Sequence, residues 1–202
     1  RANARLNQCV VNGRSIAQAL TLYSDDHHEV FPHWSAWQVF GGDGTGDDTP
    51  GLGWTELVAP YSDTTRIYID PARKIVEAPF AYFLQSRYAA ALSNHRLYTS
   101  FTASQVALSS QFVLSGDENN KVFFPRPYGI SVKEPECDLD DARWPAVFFG
   151  ANQSQAELDP HTGTGRTCTI VFLDGHAGAF KQFDPHLMTW HGREMRSWLD
   201  TQ

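Results

Sequence analysis

RANARLNQCVVNGRSIAQALTLYSDD (residues 1–26) is the stretch on which the fold turns. Apolar and small residues recur at Leu6, Cys9, Val10, Gly13, Ile16, Ala17, Leu20 and Tyr23, in steps of three and four. That spacing places them on one side of an α-helix, so the segment predicts an amphipathic helix with this side against the remaining domain. A helix of this length spans roughly 30–40 Å, about the width of a small domain. Gly13 sits mid-helix, where glycine costs about 1 kcal/mol against alanine, and so predicts a close approach of another element. No cap and no proline open the segment, and the expectation is a helix that continues further upstream. It should end between Tyr23 and His28, before Pro32. Asp25 and Asp26 oppose the macrodipole at that end, which assigns them to a loop with a capping role.

Bulk properties narrow the class. With 202 residues the chain can bury a sizeable core, and a single domain is the default. We divide it into a helical part over 1–28 and a globular α+β head over 29–202 packed on that helix. A formal net charge of -7 argues against a nucleic-acid partner, which needs a basic footprint. No uninterrupted apolar run has the length of a bilayer span. The three cysteines contain no C-x-x-C pair; Cys137 and Cys168 can pair in an oxidising compartment, leaving Cys9 as a small buried hydrophobe.

Beyond the helix, FPHWSAWQVF (31–40) predicts a short helix or turn, and GGDGTGDDTPGLG (41–53) a long loop. WTELVAPY (54–61) predicts one or two helical turns carrying Trp54, Leu57 and Val58, and Arg66–Asp70 a strand closed by Pro71. Further strands are expected near Ser86–Ala91 and over Gln111–Ser115, the latter ended by SGDEN. The proline-rich run 121–139 reads as loop, and PAVFFG (145–150) as a short strand or buried turn. Thr167–Leu173, Asp174-Gly175 and His176–Phe180 make the clearest hairpin in the chain, turning on a tight-turn dipeptide. Leu187, Trp190, Met195, Trp198 and Leu199 suffice for one short packed helix at the end. The sum is an α+β fold: a long N-terminal helix segregated to one face of an antiparallel sheet of short strands, with long loops.

In order and spacing these elements resemble the type IV pilin-like, type II secretion pseudopilin-like proteins of planctomycete and verrucomicrobial bacteria. This is the "processing-associated" group, with a histidine and then Asp-Gly near the C-terminus. The matching positions are Cys9 to Leu20, Tyr23, Asp25, Asp26 and Phe31-Pro32, then Trp54 to Tyr61, then Tyr68 to Pro71, with Asp70 where the family has cysteine. Val171 to His176, with Asp174, Gly175 and His176 at its centre, match the family's Phe-Leu-Asp-Gly-His core. His161 stands twelve residues before Asp174, where the family has about nine. The resemblance implies a pilin-like fold and a non-enzymatic subunit of a type II secretion or type IV pilus-like filament. It further implies other pilin-like subunits as partners through the N-terminal helix, and anchoring in the inner membrane by a segment upstream of Arg1. The globular part would then lie in the periplasm or at the cell surface. The alternative from another class is an extracytoplasmic carbohydrate- or ligand-binding module using Trp34, Trp37, Trp144 and Trp190.

Other chemistries find little footing. Asp174-Gly175-His176 reads first as a turn, with Gly175 at positive φ and Asp174 bonding its own turn amides. His161, His176, His186 and His191 lie at spacings that match no zinc pattern. Gly-x-Ser-x-Gly is absent, and the Gly/Asp loop has neither the flanks nor the lysine of a phosphate-binding loop. Within that loop Asp43, Asp47 and Asp48 supply oxygen ligands on a flexible backbone, the material of a possible calcium site, without the spacing of an EF-hand. A plain solvated loop and a partner-contact loop are the other readings.

Overall fold

The structure, a computed structural model, describes residues 2–32, 54–69, 71, 82–84, 100–117, 167–180, 184 and 186–189. A long helix α1 (Ala2–Asp26) is followed by α2 (Trp54–Val58), which tightens into a 3-10 turn over Ala59–Tyr61. Four antiparallel strands, β1 (Tyr82–Leu84), β2 (Val113–Asp117), β3 (Cys168–Phe172) and β4 (Ala177–Phe180), form one sheet in the order β1-β2-β3-β4. This is the expected α+β arrangement of a long N-terminal helix on a small antiparallel sheet.

α1 lies against β3 and β4 because its packed side is nearly bare of bulk there. A Cβ on Gly13 would stand 2.9 Å from Val171 Cγ2 and 3.3 Å from Thr169 Cγ2, so only glycine admits the strand at this distance. Ala17 continues the contact with Val171 and Ala177, flanked by Val10. Toward its C-terminal end the helix switches to large residues: Ile16, Leu20 and Tyr23 join Trp54, Val58, Tyr68, Tyr82, Leu84 and Phe112 in the main core. Small residues set the approach, and large ones fill the space beside it.

All five residues of β2 and of β3 are buried, which accounts for the apolar run of β3, interrupted only by Thr169, while β2 buries Ser115 and Asp117 along with Val113 and Leu114. A register shift between Val113 and Ser115 makes Leu114 the extra residue of a bulge against Val171 and Phe172.

Four expectations are corrected. Arg66–Asp70 is not a strand where it is described: Thr65–Tyr68 form a 3-10 turn whose Thr64 hydroxyl accepts a hydrogen bond from the Arg66 amide at 3.2 Å. Within this segment the fully buried residue is Tyr68, while Ile69 stays 42% exposed. β2 begins and ends two residues later than expected. Gln111 is drawn to the tail instead, where the Thr189 amide donates to its carbonyl (2.7 Å) and the Val113 amide donates to the Thr189 carbonyl (2.8 Å). Gly116 and Asp117 thus belong to the strand, pairing with Phe83 and Tyr82. Asp25 and Asp26 lie in the last turn of α1, and the chain leaves it through His28 and Glu29, both at positive φ (58° and 65°). In the tail, Leu187 occupies a turn opened by Asp184 and is exposed, while Met188 is buried. The elements expected at 33–53, near Ser86–Ala91, at 121–150 and over 190–202 fall outside the described residues.

Burial gives Tyr68 a further property. Desolvation pushes its phenol up to about 12, against a smaller opposing pull from the Ser62 hydroxyl. The folded state therefore holds this proton to higher pH than the unfolded chain, where tyrosine ionises near 10. The resulting stabilisation, about 2–3 kcal/mol, is complete below about pH 10 and is lost as pH rises toward 12. Urea unfolding between pH 8 and 11.5 should show this decline, and Tyr68→Phe should make it shallower. An equally steep fall in the variant would remove Tyr68 as its source.

Candidate functional site

Two groups of the motif residues are brought together, each by its own elements. The first closes the C-terminal end of α1. Tyr23, one turn before the helix end, packs face to face with His27 (ring centroids 3.9 Å apart, planes 7° apart) and edge-on with Tyr61 (5.8 Å). The Tyr61 hydroxyl donates to the Asp26 carboxylate at 3.0 Å, and His27 Nδ1 lies 2.7 Å from the Tyr23 carbonyl. Tyr61 reaches this position because Pro60 tightens the end of α2 into the 3-10 turn. Burial and then the hydrogen bond to Asp26 raise the Tyr61 phenol above its ordinary value, and burial raises that of Tyr23. Asp26 accepts a hydrogen bond from the phenol, which keeps its proton, and the rings pack on one another, so the group acts as a clasp between α1 and the α2 segment.

The second group is the β3–β4 turn. The Gly175 amide donates to the Phe172 carbonyl (2.9 Å), and the Phe172 amide donates to the His176 carbonyl (2.9 Å). This gives a three-residue loop, Leu173-Asp174-Gly175, with Gly175 at φ 90°, in place of the expected two-residue turn. Asp174 Oδ1 accepts from the His176 amide (3.2 Å) and contacts His176 Nδ1 (2.5 Å). The His176 ring stacks on Phe172 at 4.1 Å. Bonding through Nδ1 leaves Nε2 facing away from the carboxylate, and among the described residues no hydroxyl or thiol is hydrogen-bonded to this ring. The pair is a rigid turn with an oriented imidazole.

Gly175→Val isolates the backbone contribution. A Cβ at Gly175 would meet nothing within 4 Å, so the whole cost comes from forcing a β-branched residue to φ 90°. We expect a loss of about 1–3 kcal/mol in equilibrium urea unfolding, and a smaller loss for His176→Ala. A wild-type midpoint for Gly175→Val would refute the turn geometry.

The remaining motif residues are structural or lie elsewhere. Cys9 is buried on α1, where its carbonyl accepts from the Tyr82 hydroxyl at 3.4 Å. Pro32 is buried behind the helix end, Trp54 is buried in the main core, and Pro71 is exposed in a turn. His161, the calcium candidates Asp43, Asp47 and Asp48, the aromatics Trp34, Trp37, Trp144 and Trp190, and Cys137 fall outside the described residues. Among the described residues no group of three or more His, Cys, Asp or Glu is placed to hold a metal ion.

Some residues escaped the sequence reading. Asn12 is buried on α1 and donates to the Ile69 carbonyl (3.2 Å) while accepting from Gln8 (3.0 Å), fixing the helix to the 3-10 turn. Its place beside Gly13 on the packed side was the available signal. Asp117 is buried at the end of β2 and accepts from the Thr169 amide at 2.6 Å, a role hidden by its position in a turn-like SGDEN. The opposite side of α1 is left open: Val11 and Leu22 are 51% and 42% exposed, and Arg14, Gln18 and Asp25 are exposed beside them. Comparison with protein-family models, curated proteins and solved structures finds no match to this chain.

Proposed function

We propose that this chain is a non-enzymatic, pilin-like structural subunit that joins a type II secretion pseudopilin-like or type IV pilus-like filament through α1. One observation carries the reading. A helix of 25 residues is held along one side by the sheet and core, while the stripe on its other side runs uncovered from Asn7 to Asp25. A surface helix ordinarily keeps its polar face in water; what favours a neighbour here is that this face also carries the two exposed aliphatics Val11 and Leu22. Support comes from the clasp as well, because Tyr23, Asp26 and Tyr61, three positions of the pilin-like resemblance, hold one another directly. The placement that accompanies this reading is an extracytoplasmic head with anchoring in the inner membrane upstream of α1. Among the described residues no helix is long and apolar enough to cross a membrane.

The test is made in cells expressing the full natural gene. A photo-crosslinking amino acid at the exposed Gln18 should trap a ladder of multiples of the protein, in the membrane fraction. A protein recovered only as a soluble monomer, with no ladder, would overturn the reading and favour a ligand-binding module.

A further inference from the structure

β4 is the last strand of the sheet, and its outer edge is unprotected. Residues 177–180 pair with β3 without a register shift, as Val171↔Ala177, Ile170↔Gly178, Thr169↔Ala179 and Cys168↔Phe180. The Phe172 amide donates to the His176 carbonyl, which makes 176, 178 and 180 the positions bonded to β3. The alternate positions, Ala177 and Ala179, therefore direct their amides and carbonyls away from the sheet. Among the described residues nothing bonds to them on that side. Natural edges are blunted by lysine, proline or a bulge, and Ala-Gly-Ala-Phe has none of the three.

The two faces beside this edge differ. Away from α1, the Phe180 ring folds back over Gly178, where a Cβ would stand 3.0 Å from its Cε2, and meets Phe172 edge-on at 5.7 Å. Toward α1, Ala177 packs with Ala17 and the half-buried Val10, while Ala179 is exposed. Successive helix residues advance about 100°, so Arg14 lies about 40° beyond Val10, on the flank that turns past β4. The opposite flank is taken by the α2 segment and the turn after it, through Tyr23, Asp26 and Asn12. Arg14 is exposed and makes no ion pair among the described residues.

We infer that this edge takes an extended peptide of another protein as a fifth strand, with an aliphatic side chain on Val10 and, two residues away, a carboxylate facing Arg14. One helical turn from Val10 to Arg14 is about 6 Å, close to the roughly 6.6 Å between alternate residues of a strand. Main-chain bonds to Ala177 and Ala179 supply attachment, and the two side chains supply selectivity. A second copy fits the edge less well. Self-pairing about a two-fold axis at Gly178 brings two Arg14 side chains together, like charge on like charge. The contact lies apart from the stripe that carries Gln18 and does not rest on the filament reading.

The probes are the fluorescein-labelled peptides Thr-Thr-Val-Thr-Glu-Thr-Thr and Thr-Thr-Glu-Thr-Val-Thr-Thr, one for each strand direction, titrated into the purified 202-residue chain. Fluorescence anisotropy should show saturable binding of at least one of them, with Kd below about 1 mM. Replacing its glutamate by lysine should weaken binding about fivefold, and Arg14→Glu should reverse that preference. N-methylation of alternate peptide residues tests the edge itself. Of the two alternate patterns one should abolish binding and the other spare it, because only every second amide of an added strand faces β4. Ala179→Pro, which removes an outward amide, should weaken binding at least about tenfold at a melting temperature within about 5 °C of wild type. If that variant unfolds, the methylation patterns decide alone. No binding of either peptide at about 2 mM, equal effects of both methylation patterns, or an Arg14→Glu chain that keeps the glutamate preference overturns the inference. So does a dimer of the peptide-free chain, seen by analytical ultracentrifugation, that Ala179→Pro dissociates, since the edge then belongs to a second copy.

Discussion

Trp54→Ala should destabilise the domain by about 3–5 kcal/mol, much of the 5–15 kcal/mol that a domain of this size typically has. Trp54 is 1% exposed and opens α2, whose five residues are too few to hold a helix without tertiary packing. Its indole stands edge-on to Tyr68 at 5.6 Å and 85°, within the cluster that contains Leu20, Tyr23 and Tyr82. Truncation removes the largest apolar surface in that cluster and leaves a cavity that the flanking helix α1 and sheet cannot both move to fill. It also loosens the clasp, since Tyr61 is positioned only by the turn that continues α2. Urea unfolding monitored by far-UV circular dichroism should show a lower midpoint with an unchanged slope. Trp54→Phe should cost less, because an aromatic edge still faces Tyr68. Trp54→Ala and Tyr68→Ala combined should cost less than the sum of the two, as expected of side chains in direct contact. A Trp54→Ala midpoint within about 0.5 kcal/mol of wild type would show that α2 does not anchor the core.

What could be read from the sequence follows from which interactions are local. α1 announces itself because one helix face is buried over more than four turns, from Cys9 to Ser24, and its period survives the glycine at its centre. The β3–β4 hairpin was legible for the same reason: its turn chemistry and its strands are contiguous. Gly13 as a point of close approach was legible from cost alone, since a mid-helix glycine needs a compensating contact, here Val171. Arg66–Asp70 was misread as a strand because a short apolar stretch does not separate strand from 3-10 turn, and a threonine cap two residues earlier won the backbone. The start of β2 was misplaced because the residues before it bridge the tail at Thr189, paired with Phe112, a partner no local pattern names. The clasp joins residues 35 positions apart, and its logic is invisible until Pro60 turns Tyr61 toward Asp26.

The helix itself offers the second large effect. Leu20→Ala should cost about 2–5 kcal/mol, and Leu6→Ala in the same chain less than about 1 kcal/mol. Leu20 is fully buried, fixed between the core aromatics, and its loss opens a cavity. Leu6 is only half-buried, and its neighbours Asn3, Ala4, Arg5 and Asn7 are exposed, so the structure can relax around a smaller side chain. The same gradient should govern opening of the backbone. Amide protection over α1 should be weakest around Asn3 to Arg5 and rise through Gly13 to its maximum near Leu20, because opening is local where little is buried and global where the core must break. No weak point is expected at Gly13, whose flexibility is suppressed by the strand packed against it. Hydrogen exchange followed residue by residue, with urea unfolding of the two variants, measures both halves of the expectation. Uniform strong protection from residue 3 onward, or a gap at Gly13, would mean that α1 is held along its whole length within one subunit. The open stripe would then have no mobile end to offer a neighbour, and the case for assembly through this helix would fail with it.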